Sequence, residues 1–151
     1  MSILVNHVEI SEAEVGQEMQ YHPAPNREWA WQLAAQSLVI RQLLLQQAAE
    51  RGLCEKADTE IEVAQEEQLI DRLLQQDVVV PEADEASCQR YYDNHPNSFM
   101  DKESGDRLTF DQARTAIRDY LHAKAMRMAV AEYIKALSYR AEIKGVELEH
   151  L

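Results

Sequence analysis

Glycine and proline are scarce, four of each in 151 residues. A chain that seldom interrupts its backbone and is rich in Ala, Leu, Gln and Glu favours long helices over turn-rich sandwiches. Aromatic residues make up only 7% of it, yet 46% is hydrophobic, enough to support a real core. Positive charge is also short. Fifteen Lys and Arg stand against 27 Asp and Glu, a net charge of −12. That balance repels nucleic-acid backbones and anionic membrane surfaces, so neither is expected as a partner. The two cysteines, Cys54 and Cys88, have a spacing that suits neither a metal site nor a redox pair. No stretch approaches a membrane span, and the opening MSILVNHVEISEAE lacks a basic segment before a long apolar one. The expected compartment is therefore the cytoplasm. No HExxH, P-loop or GxSxG motif occurs, and neither a cofactor nor a metal is expected.

What is present is organised around one long segment, Asn26 to Gly52. It contains no internal Pro or Gly. Trp29, Leu33, Ile40, Leu44 and Ala48 form one apolar row at helical spacing, and Ala34, Leu38 and Leu45 form a second beside it. Asn26 suits the N-cap, and Gly52 is placed to close the helix in the left-handed conformation. Trp29 and Trp31 lie two residues apart, about 200° around a helix, so both cannot face one core.

Before this helix, ILV and VEI flank Asn6-His7, which predicts either a tight hairpin or one kinked strand. Ser11 and Glu14 form a capping box for a short helix that ends at His22-Pro23. After the long helix, Thr59 and Glu62 form a second capping box. The following helix runs to about Asp77, with Val63, Ile70, Leu73 and Leu74 facing inward. Val78–Pro81 reads as extended, and a further helix is expected from about Ala83 to Asn94. Residues 97–108 are polar and show no useful period. Thr109 and Gln112 cap the last long helix, which continues to about Tyr139 through Phe110, Ala113, Ile117, Tyr120, Leu121, Met128 and Leu137. The alternation from Ala141 to Leu148 predicts a strand that pairs with the Ile3–Ile10 segment. The fold class is mainly α: about five helices, two of them long, with a small β element joining the chain ends.

Three stretches resemble the non-catalytic parts of SurA- and PpiC-type parvulin prolyl isomerases. VNHVEISEAEV resembles their V-N-G-x-x-I-[ST]-x-x-E-[LV] opening. LVIRQLLLQQAAERGL, residues 38–53, is similar to their L-I-x-x-x-L-L-x-Q-x-A-x-x-x-G-L helix end. VPEADEASCQRYYDNHPNSF resembles their V-[ST]-x-x-[ED]-[IV]-x-x-Y-Y-x-x-[NH]-x-x-x-F segment, through Val80, Glu82, Glu85, Tyr91, Tyr92, Asn94, Pro96 and Phe99. In that family the Tyr-Tyr helix and its Phe lead into the catalytic domain. Here Phe99 runs through Met100 into the DKESGDRLTF linker and a C-terminal helix. The resemblance therefore implies one helical SurA-N-like chaperone domain, residues 1–151. It consists of an N-terminal flank 1–99, a linker 100–108 where the parvulin domain would be inserted, and a C-terminal flank 109–151.

None of His7, His22, His95, His122 and His150 falls in the family's two His motifs, so no catalytic residue is carried over and the chain is not expected to be an enzyme as it stands. The resemblance implies binding of non-native polypeptide clients. Such a module needs exposed, adaptable apolar side chains, and the candidates are Trp31, Tyr91, Tyr92, Phe99, Met100, Met126 and Met128. Each also suits a core or boundary position, the more so for Tyr91, Phe99 and Met128. An alternative is a dimerisation or assembly scaffold whose long helices exchange between protomers of a homodimer. A residual prolyl cis–trans isomerase is the second alternative.

Overall fold

The computed structural model describes residues 2–54 and 63–148. Among them are five α-helices and a three-stranded antiparallel sheet. Strands β1 (Ile3–Val5) and β2 (Val8–Ile10) pair in the register Ile3↔Ile10, Leu4↔Glu9 and Val5↔Val8. The two-residue turn between them holds Asn6 and His7 at φ of 48° and 73°. Positive φ at both turn positions matches the twist of the strands, and asparagine tolerates it well, so the hairpin forms rather than a kinked strand. Ile3, Val5 and Ile10 turn one face of it into the core.

The other side of β1 takes strand β3 (Ile143–Lys144), in the register Leu4↔Lys144 and Val5↔Ile143. The two segments pair as expected, but the strand covers only two residues of the Ala141–Leu148 stretch whose alternation predicted it. Asn6 reinforces the junction. Its N–H donates to the Glu142 carbonyl at 2.8 Å, its Oδ1 accepts from the Glu142 N–H at 2.8 Å, and its Nδ2 donates to Gln46 Oε1 at 2.9 Å. Gln46 Nε2 in turn donates to the Val5 carbonyl at 3.0 Å.

Helix α1 (Glu12–Glu18) starts from the expected capping box. The Glu14 N–H donates to Ser11 Oγ at 3.1 Å and the Ser11 N–H to Glu14 Oε2 at 3.3 Å. A 3₁₀ turn, Met19–Tyr21, leads towards α2 (Arg27–Glu50). Asn26 Oδ1 accepts from the Trp29 N–H at 2.8 Å. At the other end Gly52 has φ 78°, and the Gly52 and Leu53 N–H groups donate to Ala49 and Ala48 at 3.0 and 2.9 Å. These are the two bonds of a Schellman cap, with Leu53 packed back near Ala48.

The buried apolar face of α2 is Ala34, Ala35, Val39, Leu43, Leu44, Leu45 and Ala48. This corrects the sequence expectation, because Trp29 and Leu33 are 55% and 36% exposed. The hairpin side chains pack instead over Ala34 and Ala35, which are small enough to admit them. Helix α3 is described as Val63–Asp77. Leu73 is buried, with Ile70 and Leu74 beside it, while Val63 is exposed rather than inward, a turn and a half or more from the apolar residues that pack. The Thr59–Glu62 box lies outside the described residues.

The chain divides into two compact units. One joins the residues up to Val78 with those from Val130 onward, and the other is Val79–Ala129. The first unit has two clusters. One packs the sheet and Val15 against the middle of α2; the other packs Leu44 and Ala48 against Leu73 and Leu137. In the second unit, α4 (Glu85–Asp93) starts two residues later than expected, because Asp84 Oδ1 captures the Ser87 N–H at 2.7 Å. Helix α5 (Phe110–Arg140) begins in this unit, with Thr109 and Gln112 making the expected reciprocal bonds at 3.3 and 3.0 Å. Cys88, Ala113 and Ile117 form the buried centre. Tyr120 and Met128, expected on the inner row of α5, are exposed: with so small a centre, few turns of the helix can be covered.

Candidate functional site

Three of the seven candidate side chains meet in the second unit. The Tyr92 and Phe99 rings stack with centroids 5.8 Å apart, and Tyr91 meets Phe99 edge-on at 6.1 Å. Tyr91 also stacks on His95 at 4.0 Å and lies 5.4 Å from Tyr120. Burial, with the Tyr120 hydroxyl beside it, raises the Tyr91 phenol above its ordinary value. These rings are half-buried against Cys88, Ala113 and Ile117, so they wall an interior rather than an open groove.

The polar stretch after Phe99 is ordered by a residue that sequence reasoning missed. Arg107 lies 3.8 Å over the Tyr92 ring and donates through Nη2 to the Tyr92 and His95 carbonyls at 2.6 and 3.1 Å. A cation on the last carbonyls of α4 suits the helix dipole as well. Tyr92 Oη donates to the Leu108 carbonyl at 2.6 Å, the Leu108 N–H donates to the Phe99 carbonyl at 2.7 Å, and Met100 bridges to Arg107. Phe99 itself holds φ at 66°. No periodic signal marks such a loop. Its only trace in the sequence is a single arginine ahead of the capping threonine.

The remaining candidates are dispersed. Met100 and Met128 are exposed and Met126 is half-buried. Trp31 belongs to the first unit, where it packs against the cluster that holds Ala34 and Ile3. It walls two depressions. One, of about 700 Å³, is shared with Gln32, Ile143 and Val146; the other, of about 440 Å³, is shared with Arg27 and Glu28. The Gln32 side chain donates to the Glu147 carbonyl at 2.7 Å, which holds the C-terminal segment along α2.

A polar node lies at the end of α3. Asp77 Oδ2 accepts from the Tyr133 hydroxyl at 2.6 Å and from Arg51 Nε at 3.1 Å. The Tyr133 bond holds the Asp77 carboxyl below its usual range. Burial, then the bond to Asp77, pushes the Tyr133 phenol up to about 12. Among the described residues no group of three His, Cys, Asp or Glu side chains converges to hold a metal ion, and no helix is long and apolar enough to cross a membrane.

No family model, curated protein or solved structure matches this chain. The first unit offers depressions bordered by Trp31 and by the sheet, and the second offers a closed aromatic cluster with exposed methionines near it in sequence.

Proposed function

We propose that this protein binds unfolded or partly folded polypeptide in a chaperone-like manner, without transforming it chemically. The observation that carries the reading is the state of the first half of α2. Trp29 and Leu33, one helical turn apart, are exposed together, while Trp31 on the opposite side walls the two depressions. A single exposed leucine is ordinary, but a tryptophan and a leucine presented side by side on a helix form an apolar contact surface. Tyr21, just before the helix, is exposed as well. The likeness of three stretches to the non-catalytic flanks of parvulin-type isomerases supports the same reading. So does the net charge of −12, which keeps the body dispersed while apolar side chains face solvent.

Light scattering from a chemically denatured client diluted into buffer tests it. A stoichiometric amount of the protein is expected to slow aggregation. The double variant Trp29→Ser, Leu33→Ser is expected to lose most of that effect with its helical circular dichroism unchanged. No protection by the unmodified chain would sink the proposal, and a stable dimer without client affinity would replace it with an assembly role.

A further inference from the structure

β2 lies at the edge of the sheet, whose order is β2-β1-β3, and no described strand pairs with its outer side. In a hairpin closed by a two-residue turn, Val5 and Val8 exchange both backbone bonds, as do Ile3 and Ile10 two positions away. The intervening Glu9 therefore turns its N–H and C=O away from β1. Beside this edge lies a depression of about 330 Å³ bounded by β2, α1, α2 and α3. Ile10, Leu38 and Leu45 give it apolar walls, and Glu9, Glu14 and Glu66 give it carboxylates. Among the described residues its one cation, Arg41, is engaged by Glu66 at 3.5 Å.

We propose that β2 takes up an extended polypeptide of alternating basic and apolar residues as a fourth strand of the sheet. This deepens the client-binding reading and rests on it. Backbone bonds to Glu9 hold the strand, an apolar side chain seats against Leu38 and Leu45, and Lys or Arg side chains meet the carboxylate rim. Strand addition at a free edge derives affinity from main-chain bonds and selectivity from the neighbouring pocket. A second copy of this chain fits the edge poorly. Pairing β2 with its own equivalent would bring two acidic rims together, and like charges across strands repel.

Fluorescence anisotropy of a labelled peptide alternating lysine and valine tests the proposal. Three comparisons are made: the same peptide N-methylated at alternate residues, a peptide with glutamate in place of lysine, and the protein variant Glu9→Pro. Proline removes the outward N–H from an edge position that tolerates it. Each change is expected to weaken binding about tenfold or more, the scale of one or two lost hydrogen bonds. The melting temperature of Glu9→Pro is expected to stay near that of the parent, and if that variant does not fold, the N-methylated peptide decides. Equal affinity for the N-methylated peptide overturns the proposal. So does a dimer that Glu9→Pro dissociates, because the edge would then belong to a second copy. Client protection that persists undiminished in Glu9→Pro overturns the edge site and leaves the broader reading standing, whereas a parent protein that neither protects clients nor binds the peptide removes both.

Discussion

A Cβ on Gly145 would lie 2.9 Å from the Ser2 carbonyl oxygen and 3.2 Å from Ile3 Cα, and the residue holds φ at 96°. Both neighbours are backbone, so neither can rotate aside. Gly105 has a similar φ of 73° but open space around its Cα. The pair separates two costs that usually arrive together, left-handed strain and collision. Gly105→Ala is expected to lose roughly 1 kcal/mol of stability, the strain alone. Gly145→Ala is expected to lose about 2–3 kcal/mol, because β3 must also draw back from β1. Urea unfolding of the two variants measures the difference, and equal losses would mean that the C-terminal segment is not held against the hairpin. Asn6 acts at the same junction from the other side, and it does so through one short side chain that bonds both Glu142 and Gln46.

Three helices meet around Asp77, which closes α3, with Arg51 just past α2 and Tyr133 on α5. A carboxylate at a helix C-terminus opposes the dipole, and the tyrosine and arginine offset that. The folded-state pKa of Tyr133 is raised to about 12, so its contribution is complete below pH 10 and is lost as pH climbs from about 10 to about 12. The Asp77 pKa is lowered, so its contribution is complete above the ordinary carboxylate range and is lost as pH falls through the lowered value. Tyr133→Phe is therefore expected to cost about 1–2 kcal/mol at neutral pH and to flatten part of the alkaline decline. The raised pKa of Tyr91 leaves the remainder. Urea midpoints from pH 8 to 11 for parent and variant check this, and parallel curves would count against it. The local chemistry of the elements was legible in the sequence: the Ser11, Asn26 and Thr109 caps and the Gly52 stop each depend on residues within a turn or so of one another. The pairing of the chain ends was legible from alternation. The facing of α2 was not, because Leu and Ala occur around most of its circumference and only the partners decide which of them are covered. Neither was the Asp77 node, or Arg107 on the carbonyls at the end of α4, since each joins groups 12 or more residues apart. Tyr91, Tyr92 and Phe99 were legible as a cluster, though they were expected as exposed binding residues and pack around an interior, while the depression beside β2 draws on four elements that no single motif records.

At the scale of the molecule, the two compact units carry unequal interiors. The first buries Ile3, Val5 and Ile10 of the sheet, Val15 of α1, one apolar face of α2, and Leu73 and Leu137 from α3 and α5; the second buries only Cys88, Ala113 and Ile117. Opening free energy follows the apolar surface that opening exposes, so the second unit is expected to open under milder conditions. The sequence supplies a reporter for each. Both tryptophans, Trp29 and Trp31, lie in the first unit, and the buried Cys88 lies in the second. In a Cys54→Ser background, which removes the other and half-exposed thiol, Cys88 becomes the sole site of labelling. As urea rises, Cys88 is expected to react with a thiol reagent at concentrations where tryptophan fluorescence is still native. A continuous α5 does not prevent this, because a helix can fray from its leading end while its last turns stay packed through Tyr133, Ile134 and Leu137. If labelling and fluorescence change together across the whole transition, the two interiors unfold as one cooperative body, and the small centre around Cys88 is held by more than its own contacts.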